Sequence, residues 1–206
     1  MPLSGAFFER DSTMLKCFIA GALACLAIGS AAGSPAESLV AAAQSQVGVT
    51  LQYDGRYEKL AYPGGDVPIG RGVCTDVVVR AYRKLGIDLQ QLVHQDMARA
   101  FGAYPQLWQL KRPDRNIDHR RVPNLATYFT RHGEQLAASK DGRDYRPGDI
   151  VTWMVGPKLP HIGIVGDTTS SAGVPLIFHN IGSGTKLEDM LFAYPITGHY
   201  RFHGPR

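Results

Sequence analysis

Three residues distant in the chain, Cys74, His161 and His179, are of types that can do nucleophilic chemistry together. A thiol attacks as its thiolate, and it needs a base together with a group that orients the base. Cys74 opens the run Cys74-Thr-Asp-Val-Val-Val-Arg-Ala-Tyr-Arg-Lys84, which places it where a helix N-terminus presents unpaired N–H groups and positive dipole potential. His161 opens His161-Ile-Gly-Ile-Val165, and His179 lies in Leu176-Ile-Phe-His-Asn-Ile181; both are short β-rich runs. The chemistry such a set supports is attack of sulfur on an amide carbonyl. The backbone N–H of Cys74 would hold the oxyanion, and an imidazole would deliver the proton to the leaving amine. Asn180 is a rival orienter, although on a regular strand its side chain points away from that of His179. A different use of the same residues is as three zinc ligands with an open fourth position, but the spacing lacks a local pair such as C-x-x-C.

The elements that must hold these residues are legible in the periodicity. Ser34-Pro-Ala-Glu37 has capping-box spacing with Pro at the first helical position, and Leu39, Val40, Ala43 and Val47 follow at helical intervals. Residues 49–72, rich in Gly, Pro and Tyr, form a long ordered loop. From Cys74, Val77, Val78, Ala81, Tyr82 and Leu85 recur at helical spacing, with Asp76, Arg80, Arg83 and Lys84 on the other face and Gly86 beyond. Asp88 opens a helix carrying Leu92, Val93, Met97 and Phe101, and Leu125, Tyr128 and Phe129 mark another between Pro123 and Gly133. After Gly133 the period shortens to two, giving strands over 149–155, 161–165, 176–181 and 196–202. Helices first and strands afterwards predict an α+β domain, N-terminal helices packed on a mainly antiparallel sheet. If the second and third strands pair through the 166–174 connection, His161 and His179 share a face and meet across it.

Charged residues near these motifs have two uses. Asp76 complements the helix dipole or recognises substrate. The segment Lys111-Arg-Pro-Asp-Arg-Asn-Ile-Asp-His-Arg-Arg121 reads as a solvated, internally paired loop. Within it Arg120 and Arg121 are candidate clamps for substrate carboxylates, because guanidinium forks match carboxylate geometry, and His119 is a candidate neighbour. Trp108 and Trp153 read as packing residues.

The chain has 206 residues, 22 Lys and Arg against 18 Asp and Glu, and a net charge of +4 with the signs interspersed. That excludes the electrostatic footprint of a nucleic-acid binder. Cys17 to Ile28 is an apolar run preceded by Lys16 and followed by Ser30-Ala-Ala-Gly33, too short and small for a membrane span. Residues 1–33 are therefore expected to be a cleaved signal peptide, with Met14 the more conventional start, and residues 34–206 a single domain exported to the periplasm or cell envelope. A lipoprotein is the weaker reading. Of three cysteines, only Cys74 then remains in an oxidising compartment, so it is either buried and inert or used.

Gly72-Val-Cys74 through Ile87, Tyr145-Arg-Pro-Gly-Asp149-Ile-Val, His161-Ile-Gly-Ile-Val165 and Ile177-Phe-His179 resemble, in order, the motifs of NlpC-type papain-like cell-wall cysteine peptidases. Arg71 to Ala81, residues 116–124 and Ala193-Tyr-Pro-Ile-Thr-Gly-His-Tyr200 resemble the bacterial domain-of-unknown-function family 1287, over about residues 40 to 202. The resemblance implies a papain-like fold and an amidohydrolase that cuts peptidoglycan stem peptides through a thioester. It implies Cys74 as nucleophile, His161 as base and acid, His179 as orienter and Tyr53 in the site wall, with no cofactor and no metal. Where the peptidases have Asp-Cys-Ser-Gly, this chain has Val73-Cys74-Thr75-Asp76, which leaves the substrate, and hydrolysis against transpeptidation, open. A non-catalytic envelope-binding module of the same fold is the alternative. Which bond is cut and the oligomeric state are not legible.

Overall fold

The computed structural model describes residues 34–205. The expected signal peptide, with Met14, Cys17 and Cys25, lies outside the described residues. Helix α1, Pro35–Gln44, starts as its capping box dictates: Ser34 Oγ accepts the Glu37 N–H at 3.2 Å, and the Glu37 carboxylate accepts the Ser34 N–H at 2.7 Å. Two short strands, β1 Gln52–Tyr53 and β2 Arg71–Gly72, pair in parallel and close the long loop on itself. Helices α2 Cys74–Lys84, α3 Leu89–Arg99 and α4 Val122–His132 follow. Asp88 caps α3 through the Gln90 N–H at 3.0 Å.

Six strands make the sheet: β3 Glu134–Leu136, β4 Ile150–Val155, β5 Leu159–Thr169, β6 Pro175–His179, β7 Lys186–Glu188 and β8 Ile196–Arg201. Their spatial order is β3-β8-β4-β5-β6-β7, and every neighbouring pair is antiparallel. The fold is thus the α+β arrangement that the change of period announces. Because side chains alternate across a strand, the sheet has two apolar faces. Ile150, Ile162, Ile164, Phe178 and Tyr200 pack with the helices, while Val151, Trp153, Val165 and Ile177 pack under Tyr145, Met190 and Leu191. No helix among the described residues is long and apolar enough to cross a membrane.

Helix α2 departs from the amphipathic reading. Every residue from Cys74 to Tyr82 is buried, Asp76 and Arg80 included, because the long loop wraps the side that the sheet leaves open. Arg80 binds both oxygens of Asp66, the Thr50 hydroxyl and the carbonyls of Val67 and Arg71. A buried guanidinium is tolerable only when its donors are satisfied in this way. Segment 111–121 is likewise not a solvated loop throughout: Asp118, His119 and Arg120 form a buried turn of 3-10 helix against α2, α3 and α4.

Candidate active site

The first turn of α2 is tied down by charge. Val73 offers no side-chain acceptor, so Asp76 reaches back and takes the Val73 N–H on Oδ2 at 2.7 Å. The same carboxylate meets Arg120 through two bonds of 2.9 Å, and Arg120 also donates to the carbonyls of Asp54 and Arg56 at 3.2 Å. Gly72 permits this approach, since a Cβ there would lie 2.9 Å from Asp76 Oδ2. The result fixes the helix start, and with it the thiol, to loop 54–56 and to the turn at 118–120.

Cys74 is only 4% exposed and lines a cavity of about 240 Å³ together with Tyr53, Gly55, Trp108, Arg121 and Pro160. The N–H groups of Ile162, Thr75 and Cys74 itself point at Sγ and favour the thiolate, but burial outweighs them and pushes the thiol up to about 12. The helix N-terminus alone predicts the opposite sign; desolvation wins because almost no water reaches the sulfur. Sγ therefore meets β5 at the main chain of Ile162, the residue after His161, and no hydrogen bond joins it to the His161 ring.

Strand β5 carries His161, whose Nε2 lies 3.0 Å from His179 Nδ1 on β6, the rings edge to face. The β5–β6 ladder pairs Ile164 with Phe178 and Val165 with Ile177, so the register carried one step further puts Gly163 opposite His179. A Cβ at Gly163 would stand 3.3 Å from His179 Cβ and 2.5 Å from Ile177 Cγ2. The bare backbone there gives the imidazole of His179 room to lean toward His161. Burial first, and the neighbouring His179 second, lower the basicity of His161 to about 3. Both shifts favour the neutral forms of thiol and imidazole.

The other expected site residues divide. Tyr53 lines the Cys74 cavity, its phenol pushed up by burial and then by Cys74 and Asp76. Arg121 lines it as well, its guanidinium 4.1 Å above the Trp108 ring and its Nη1 3.1 Å from Asp118 Oδ1. Trp108 is accordingly a wall of the cavity and not a packing residue, whereas Trp153 is fully buried and donates to the Leu191 carbonyl. Asp76 is corrected: expected to touch substrate, it stands outside the cavity lining and spends its oxygens on Arg120 and the Val73 N–H, whereas Arg120 does line the cavity, with Nε, Nη1 and Nη2 bonded to Asp76 and to the main chain. His119 is corrected too, being buried away from the cavity with Nδ1 unbonded. Asn180 faces the loop and donates to Gly72 O at 3.0 Å, and the side-chain hydrogen bond to the His161 ring comes from His179.

Among the described residues no three His, Cys, Asp or Glu side chains are grouped to hold a metal ion. The two imidazoles are turned toward each other and not toward a common centre, which does not fit the zinc arrangement. A family model described as "Domain of unknown function (DUF1287)" matches residues 40–202. The chain belongs to the DUF1287 family. This DUF1287 chain is 56% identical over 160 residues to the protein YijF of Escherichia coli (strain K12), covering 78% of each. Among solved structures, NlpC1 from Trichomonas vaginalis is similar at 16% identity and a TM-score of 0.46 over 84% of this chain. The chain spans 46% of the length of NlpC1.

One residue at the DUF1287 site is absent from the sequence reading. Glu188, on β7, places Oε2 3.0 Å from His179 Nε2. The signal that could have found it is Lys186-Leu-Glu188, a polar–apolar–polar triplet after the Gly182-Ser-Gly184 turn, too short to stand out as a strand.

Proposed function

We propose that the protein is an exported cysteine amidohydrolase that cleaves amide bonds in peptidoglycan stem peptides. The observation that supports this reading best is the meeting of a helix-start thiol with β5 one residue from an imidazole that a second imidazole orients. The cell-wall substrate and the export rest on the motif resemblance and on the apolar N-terminal run. In the reaction, His161 takes the thiol proton as Sγ bonds to the carbonyl carbon. The backbone N–H at the start of α2 stabilises the oxyanion, and the proton passes from His161 to the leaving amine. Water then attacks the thioester, releasing the acid and restoring the thiol. The hydrogen bond between thiol and imidazole, missing in the free protein, forms on binding, as catalytic bonds often do. Purified protein lacking residues 1–33 should release new muropeptides from sacculi, and the Cys74→Ala variant should release none. Unchanged profiles on walls of several chemistries overturn the proposal.

The burial of Cys74 and its high pKa favour a second reading, a non-catalytic envelope-binding module. Sacculus co-sedimentation that survives Cys74→Ala, with no iodoacetamide labelling near neutral pH and no digestion, supports the module over the enzyme.

A further inference from the structure

An acidic residue stands behind the histidine pair, and the direction of its hydrogen bond bears on which nitrogen of His161 is free. Glu188 Oε2 lies 3.0 Å from His179 Nε2, and His179 Nδ1 lies 3.0 Å from His161 Nε2. An ionised carboxylate only accepts, so the proton in the first bond belongs to His179 Nε2. A neutral imidazole carries one N–H, which leaves His179 Nδ1 as a lone pair and obliges His161 to donate from its own Nε2. His161 Nδ1 is then the bare nitrogen. Nδ1 is also the ring nitrogen nearer the main chain, bonded to Cγ, and it is near the neighbouring main-chain N–H of Ile162 that Cys74 Sγ sits.

We propose that Glu188 is a positioning residue that locks the His161–His179 pair in the tautomers leaving His161 Nδ1 free to accept the Cys74 proton. The inference rests on the proposed thiol chemistry and adds to it a residue that touches neither thiol nor substrate. With Glu188 neutral or absent, His179 is free to carry its proton on Nδ1; His161 Nε2 must then accept, and its proton moves to Nδ1, where a base needs a lone pair. Once His161 is protonated, the Glu188 charge favours the imidazolium through the intervening ring. The charged groups acting on this relay come from β7: Glu188, and Lys186, whose Nζ is 3.7 Å from Glu188 Oε1. On the β4 side His161 meets the uncharged indole of Trp153. Gly163 supplies the space in which the two rings meet.

The side chain of Glu188 is 42% exposed, so replacing it leaves the fold intact and the test readable. Nitrogen NMR of the histidine rings in wild type, Glu188→Gln, Glu188→Leu and Lys186→Ala near neutral pH reads the tautomers directly. The expected result is an Nε2–H form for both His161 and His179 in wild type and in Lys186→Ala, and a mixture in Glu188→Gln and Glu188→Leu. In sacculus digestion, kcat of Glu188→Leu should fall by at least about 10-fold with KM little changed, and the pH profile should alter. Unchanged tautomers in Glu188→Leu overturn the inference while leaving the hydrolase reading intact. A wild-type protein inert on sacculi ends the hydrolase reading, and the NMR result still decides whether Glu188 sets the tautomers.

Discussion

Gly163 and His179 face each other across the β5–β6 ladder so closely that a methyl group on Gly163 would lie 3.3 Å from His179 Cβ and 2.8 Å from the Phe178 carbonyl oxygen. Neither neighbour is the loose end of a flexible side chain, so strand β6 itself must shift. Gly163→Ala is expected to cost about 1–3 kcal/mol of stability, the usual range for overpacking a well-filled site. It should also break the 3.0 Å bond between the imidazoles. The denaturant midpoint measures the first effect, and muropeptide release at temperatures where the variant remains folded measures the second. Release at the wild-type rate would mean that the histidine contact does not matter for turnover.

The Asp76–Arg120 pair makes a prediction of a different kind, because both side chains are almost wholly buried. Removing one partner strands the other charge away from water, which typically costs about 3–5 kcal/mol. Asp76→Asn and Arg120→Met should each lower stability by that order, and the double variant should recover much of the loss. Since Asp76 also holds the Val73 N–H, the single variant should speed iodoacetamide labelling of Cys74 as the helix start loosens. Wild-type stability in urea for both single variants and the double variant would show that the pair contributes nothing.

The contrast between these two positions explains what the sequence could and could not reveal. His161 and His179 were placeable because strand alternation and a short connection are local rules, and the register needs no knowledge of the rest of the molecule. Asp76 and Arg120 were not, because they are 44 residues apart and their partnership exists only once loop 54–56 and the turn at 118–120 close over α2. Sequence periodicity distinguishes polar from apolar faces, but it cannot tell a polar face in water from one covered by charges of opposite sign. The same blindness hid Glu188, which matters only through β7 pairing with β6. It also hid His199, whose Nε2 lies 2.8 Å from Asp149, the residue just before the adjacent strand β4.

Acid should destabilise the protein earlier than its carboxylates alone dictate. Burial holds His119 and His161 down to about 3, whereas an unfolded chain protonates imidazole near about 6.5. Below about 6.5 the unfolded state therefore binds protons that the folded state refuses. The stability is full above that pH and is lost as pH falls through the window from 6.5 to 3. Each such imidazole steepens the dependence by at most about 1.4 kcal/mol per pH unit. His119 serves the test because it lies outside the cavity. His119→Leu should flatten the decline between pH 6.5 and 4.5 by up to that slope, above the range in which Asp96, held low by Arg131, Tyr104 and His132, begins to lose its pairing. Parallel curves for wild type and variant from urea unfolding at a series of pH values would refute it.

Under the proposed peptidase reading, Arg121 is the residue expected to set substrate selectivity. Of the two arginines expected to clamp substrate, Arg120 has its Nε, Nη1 and Nη2 all engaged within the protein. The Arg121 side chain makes one hydrogen bond among the described residues, from Nη1 to Asp118, and rests over the Trp108 ring with its remaining guanidinium nitrogens unclaimed. A guanidinium held over an aromatic ring in a cavity wall is suited to a carboxylate, because the ring limits where the cation can sit while its free nitrogens donate. Stem peptides carrying a free carboxylate should accordingly be preferred over the amidated forms. Arg121→Gln should raise KM for the carboxylate form by about 10-fold, the worth of one charge-assisted contact at a partly exposed site, and leave kcat nearly unchanged. Trp108→Ala should shift KM in the same direction by less, since it removes the platform and keeps the charge. The amidated peptide should respond to neither change; equal effects on both peptides would place the carboxylate elsewhere.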